Sequence, residues 1–140
     1  MKYNFVLCSI ISFSVVGCVS SHDLDAKSSA PNKDGIFIAE NYQTVFARTS
    51  RMAKNCLPNG PAGLLSPVTD VVESNLYNEL GYGEIKNYQR NITIIPWVNA
   101  RINKSNNGTI VTVNTANMID YAQNKTKNNI IDWAKGKNEC

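Results

Sequence analysis

The sequence predicts an α+β domain: an N-terminal amphipathic helix, an antiparallel sheet of three to four strands and a C-terminal helix, closed by one disulfide. Three observations predict it. Apolar residues recur with helical period over 42–56, they alternate with period two over 92–113, and Ile130, Ile131, Trp133 and Ala134 cluster just before Gly136. Helical runs flanking strand runs, without a regular βαβ alternation, define the class.

In "AENYQTVFARTSRMAKNC", Tyr42, Val45, Phe46, Thr49, Met52, Ala53 and Cys56 fall on one helical stripe. Arg48, Arg51 and Lys54 point the other way. Pro58, Gly60, Pro61 and Gly63 then enforce a loop.

"SPVTDVVESNLYNELGYGEIKNYQ" admits two readings. Val68, Val71, Val72, Leu76 and Leu80 fit a helix. "GYG" between β-branched residues and Ile85 and Tyr88 favours a hairpin, which is the reading adopted.

The strongest strand signal is "NITIIPWVNARINKSNNGTIVTVNT". Ile92, Ile94, Val98, Ala100 and Ile102 share one parity, hence one sheet face; Thr93, Ile95, Trp97, Asn99 and Arg101 share the other. Pro96 marks an edge or a bulge, because it cannot donate to the ladder. With "KSNNGT" as the turn, Lys104 pairs with Thr109. Ile102 then faces Val111, and Ala100 faces Val113, which sets apolar against apolar. In the tail, Thr126 or Asn128 caps a helix that stops at Gly136.

Ahead of these elements stands "MKYNFVLCSIISFSVVGC". Lys2 heads an apolar stretch from Phe5 to Val16 that is shorter than the roughly 20 residues of a transmembrane helix. A cationic head, apolar middle and small-residue end are the layout of a secretion signal. Val15, Val16, Gly17 and Cys18 resemble the lipobox of bacterial lipoproteins. That resemblance implies cleavage after Gly17 and acylation of Cys18, which becomes the membrane anchor; Val19 in place of Asp favours the outer membrane. It also implies localisation in the cell envelope, facing the periplasm. Residues 1–17 are then a signal peptide, 18–35 a lipidated terminus and flexible tether, and 36–140 one globular domain. The tether, "VSSHDLDAKSSAPNKD", is too polar to offset its ordering entropy. Further on, "WAKG" at 133–136 followed by Cys140 resembles the end of small proteobacterial envelope lipoproteins, which implies no activity.

Removing 17 of 140 residues leaves 123, enough for one domain. The net charge of +3 and the absence of any Lys/Arg cluster argue against nucleic acid as a partner. Among nineteen asparagines, clusters such as "NKTKNN" and "NKSNNG" are expected in solvated loops, and beside a lipobox-like sequence the sequons at Asn91, Asn107 and Asn124 are read as chance. Cys56 and Cys140, two cysteines in an exported domain, predict one disulfide, the alternative being two free thiols.

Catalytic chemistry has little to work with. The single histidine, His22, lies in the tether, so Ser-His and Cys-His catalysis is not expected in the domain, and no ligand spacing predicts a metal site or cofactor. Asp70, Glu73, Glu79, Glu84, Asp120 and Asp132 are carboxylates without a sign of convergence. Trp97, Tyr82 and Tyr88 are candidates for an aromatic contact patch, weighed against core packing. The expectation is a non-enzymatic envelope lipoprotein that binds a protein partner through the outer sheet face, with Trp97, Asn99 and Arg101 at its centre, or that serves as an assembly factor. The alternatives are an inhibitor or immunity-type lipoprotein that blocks a hostile enzyme, and a carboxylate-based cell-wall glycan hydrolase.

Overall fold

The structure, a computed structural model, describes residues 35–61 and 67–140; the expected signal peptide, the expected lipidation at Cys18 and the expected tether up to residue 34 lie outside the described residues. The element order is β1 (Ile36–Ile38), α1 (Tyr42–Cys56), β2 (Gly60–Pro61), β3 (Thr69–Tyr77), β4 (Tyr82–Arg90), β5 (Ile94–Ser105), β6 (Gly108–Thr115) and α2 (Asp120–Ala134). All strands join one antiparallel sheet in the order β1-β6-β5-β4-β3-β2. The class is α+β as predicted, but the sheet has six strands rather than three or four. The two additions, "IFI" and "GP", are too short to display an alternation.

Helix α1 buries the stripe read from its sequence: Tyr42, Val45, Phe46, Thr49, Met52 and Ala53 are buried. Its start is fixed by Asn41, whose side chain accepts the Gln43 amide at 2.8 Å. It stops because Leu57, which precedes Pro58, is extended. Arg48 departs from the expected outward orientation. It donates two hydrogen bonds to the Glu40 carboxylate, at 2.6 and 2.9 Å, and its Nε donates to the Ala134 carbonyl at 2.9 Å. It thereby joins the approach to α1 with the end of α2.

The region 68–90 is a hairpin. Tyr77 pairs with Tyr82 around a four-residue turn with Gly81 at φ +70°. The β5–β6 register is the predicted one, with Lys104 opposite Thr109, Ile102 opposite Val111 and Ala100 opposite Val113. The core fills the space between this inner face and the helices. Ile85, Val98, Ala100, Ile102, Val111 and Val113 meet α1, while Ile130, Trp133 and Ala134 come from α2. Gly83 is required by this contact: a Cβ there would lie 2.4 Å from the Phe46 ring.

Two further predictions need correction. The parity assigned to Ile92 and Ile94 fails because the pairing steps between Asn87 and Tyr88: Asn87 opposes Val98 and Tyr88 opposes Pro96, leaving Trp97 as the extra residue of a bulge. Ile92 sits in the turn before β5 and is 96% exposed, and Ile94 is exposed as well. Helix α2 also begins at Asp120, well before Thr126. Its first turn is held by Gln123, whose amide bonds the Ile119 carbonyl and whose Nε2 bonds that of Met118. Its end is as predicted. Gly136 has φ +103°, its amide bonds the Trp133 carbonyl and the Lys137 amide bonds that of Asp132, a Schellman closure. Cys56, at the end of α1, is disulfide-bonded to Cys140 across 84 residues of sequence.

Candidate functional site

Both helices cover one face of the sheet. The other consists of cross-strand rows fixed by the register. Tyr77, Tyr82, Asn103, Ile110 and Phe37 form one row, and Asn75, Glu84, Arg101 and Thr112 the next. Glu73, Lys86, Asn99 and Asn114 form a third. No residue of these rows is buried. This is the solvated face of a half-covered antiparallel sheet.

One corner of it is ordered by aromatic and cationic contacts. The Tyr77 and Tyr82 rings lie 4.8 Å apart at 37°, a tilted pair. The Arg101 guanidinium carbon sits 3.9 Å from the Tyr82 ring centre, and Arg101 Nε donates to Asn103 Oδ1 at 3.2 Å. Glu84 stands directly opposite Arg101 in the ladder and is paired with Lys86 at 3.3 Å. Farther along, the Tyr88 hydroxyl donates to the Glu73 carboxylate. That hydrogen bond, first, and then burial and the nearby negative charge hold the Tyr88 hydroxyl above its ordinary pKa.

The hairpin turn that presents Tyr77 and Tyr82 is tied to the start of α1. Gln43 Nε2 donates to Asn78 Oδ1 at 2.9 Å, and the Tyr42 hydroxyl lies 3.3 Å from the same oxygen. The Lys104 amide bonds the Gly81 carbonyl at 2.7 Å, which joins the turn to β5. The aromatic corner is therefore built on a braced hairpin.

Of the sequence-predicted site residues, Asn99 and Arg101 lie on this outer face. Trp97 does not share it: the bulge takes it out of the alternation, and its half-buried ring packs against the core. Tyr82 and Tyr88 do lie on the outer face. Tyr77 was not singled out by its sequence, although a hairpin register centred on Gly81 places it opposite Tyr82.

The carboxylates are scattered. Asp70 is buried on the inner face, 3.5 Å from Gln89 Nε2, whereas Glu73 and Glu84 are in different rows outside. Among the described residues no three of His, Cys, Asp and Glu group as metal ligands. A shallow depression lies where the β5–β6 turn meets residues 39–42, lined by Glu40, Tyr42, Lys104 and Asn106 among others. It is open to solvent, and its lining is mixed polar and apolar. The arrangement offers a contact surface with a rigid aromatic-arginine corner and charged surroundings. Among the described residues no helix is long and apolar enough to cross a membrane.

Compared with known proteins, the chain matches no family model, no curated protein sequence and no solved structure.

Proposed function

We propose that this chain is a non-enzymatic envelope lipoprotein, acylated at Cys18 and held at the outer membrane facing the periplasm. It acts by binding a protein partner, or as an accessory factor in envelope assembly, through the outer face of its sheet. The observation that carries the binding role is the Tyr77–Tyr82–Arg101 corner on a face that no helix covers. Tyrosine and arginine are enriched among residues that dominate binding energy. Stacked as they are here, they lose little side-chain freedom on association. Asn99 and Arg101 remain in the site, and Trp97, packed against the core, leaves it. The anchor rests on the lipobox-like Val15–Cys18 sequence.

The test is capture from envelope extract with the mature lipidated protein, its Arg101→Ala and Tyr82→Ala variants and a Lys54→Ala control on the helical side. Graded loss at 101 and 82, with the control unchanged, is the expected result. Equal capture by all four overturns the assignment of this face. A single Asp→Ala or Glu→Ala change that abolished a glycan-cleaving activity, with the fold intact, overturns the non-enzymatic reading.

A further inference from the structure

Both ends of the sheet expose apolar side chains, Leu80 at 69% and Phe37 at 57% beside the β3–β4 and β5–β6 turns, and the larger exposures are at the other end. Those turns also carry Asn78, Glu79, Asn106 and Asn107. At the other, the β4–β5 turn, the start of β5 and the β6–α2 connection come together. The Asn117 side chain donates to the Pro96 carbonyl at 2.8 Å, and the Ala116 amide to that of Trp97 at 3.0 Å. This second end exposes Ile92, Ile94, Ile95, Ile119 and Tyr121, with Ile92 at 96% and Ile119 and Tyr121 each at 75% exposure. Single exposed apolar residues are ordinary; a group from two segments bonded together is a surface with a use.

The path of the chain says what that use is. Ile36 pairs with Val111 and Ile38 with Thr109, so β1, followed backwards, runs along β6 toward Thr115. At Gly35, beside Thr112, the described chain is therefore heading along β6 toward the apolar end. Sixteen residues, 19–34, separate Cys18 from Gly35, a reach of at most about 55 Å.

We propose that this end docks on the lipid bilayer, with Ile92, Ile94, Ile95, Ile119 and Tyr121 inserted at the headgroup boundary. The proposal rests on the lipid anchor at Cys18. Isoleucines supply apolar area, and tyrosine is suited to the interface, where its ring is apolar and its hydroxyl wet. Exposed Arg90, beside Ile94 in the ladder, and Lys125, one turn on from Tyr121, add attraction to anionic headgroups; Asp120 opposes it. Anchoring makes the contact intramolecular, so an intrinsically weak patch is populated at the high effective concentration that the tether sets. The sheet then stands on the membrane, and the Tyr82–Arg101 corner, near the opposite end, stays free for a partner.

The test uses the mature lipidated protein in phosphatidylethanolamine/phosphatidylglycerol vesicles, with Ile92, Tyr121 or Leu80 replaced one at a time by a benzophenone-bearing residue. Leu80, 69% exposed on the β3–β4 turn, is the apolar control. All three positions are exposed and leave the core untouched. Photolysis is followed by mass analysis of adducts and of Cys18. Lipid adducts at 92 and 121, lost at 80, are the expected result. With Cys18 acylated, three outcomes overturn the docking alone: no lipid adducts at 92 and 121, equal adducts at 80, or adducts at 92 and 121 to protein. An unmodified Cys18 overturns the anchor and the docking with it.

Discussion

Arg101 stacks on Tyr82 from the neighbouring strand, its guanidinium carbon 3.9 Å from the ring centre, on the sheet face that neither helix covers. The pair contributes to packing between β4 and β5, but at an exposed site such a contact is worth only about 0.5–1 kcal/mol. Removing Arg101 should therefore leave the fold nearly untouched. Arg101→Ala is expected to shift the thermal midpoint by a few degrees at most while reducing partner capture strongly. Differential scanning calorimetry beside the capture assay checks both halves. A large loss of stability would make Arg101 a structural residue and remove it from the binding face.

The elements legible in the sequence were those whose period is long and whose burial is one-sided. The stripe from Tyr42 to Ala53 and the pairing of Ala100 with Val113 are of that kind. The strand alternation failed at one place, Trp97, because one extra residue in β5 reverses parity for everything before it. Pro96 announced an edge or a bulge without fixing which residue would be extra. The early start of α2 was hidden for a different reason. Its first turns, "DYAQNKTK", carry few apolar residues, and what holds them is Gln123 bonding back to Met118. On the outer face, Arg101 was readable from parity. Its stacking on Tyr82 needed the β4–β5 register, which no apolar pairing on that face dictates.

Trp97 and Trp133 should separate in a mutational comparison. Trp133 is 1% exposed in the core, and its indole nitrogen donates to the Glu139 carbonyl at 2.7 Å. Trp133→Ala is expected to cost about 3–5 kcal/mol, the range for a fully buried aromatic ring. Trp97 packs on the core from the bulge but remains half-exposed, so Trp97→Ala should cost less than that while still lowering stability measurably. Urea unfolding of the two variants gives the comparison. An unchanged midpoint for Trp97→Ala would return the ring to the candidate binding surface.

Glu40 gives the domain a defined acid response. Its carboxyl is held below the ordinary value of 4.5, chiefly by the hydrogen bonds from Arg48 and then by the guanidinium charge. A folded-state value below the unfolded one means that the contribution is complete above about 4.5 and is lost as pH falls through the lower, folded value. Glu40→Gln should therefore lower stability by a constant amount near neutral pH, with the gap to wild type closing as pH drops below 4.5. Urea midpoints across an acid series measure the gap. A gap that widened in acid would contradict the Arg48 contact.

The Cys56–Cys140 disulfide should dominate the response to reductant. It ties the last residue of α1 to the end of the chain beyond α2, closing a loop with a sequence separation of 84. On the chain-entropy account, a loop of that length is worth roughly 4–5 kcal/mol through its restriction of the unfolded state. A domain of this size has only about 5–15 kcal/mol of net stability to lose. The bond also holds the strand of chain that supplies Glu139 to Trp133, so reduction loosens a core hydrogen bond as well as a terminus. Treatment with dithiothreitol, or Cys56→Ala with Cys140→Ala, is expected to lower the thermal midpoint steeply, and the two routes should agree. Stability that survived both would mean that the buried core shared by Ile130, Trp133 and Ala134 with α1 holds the domain without the crosslink, and would overturn the disulfide's dominance.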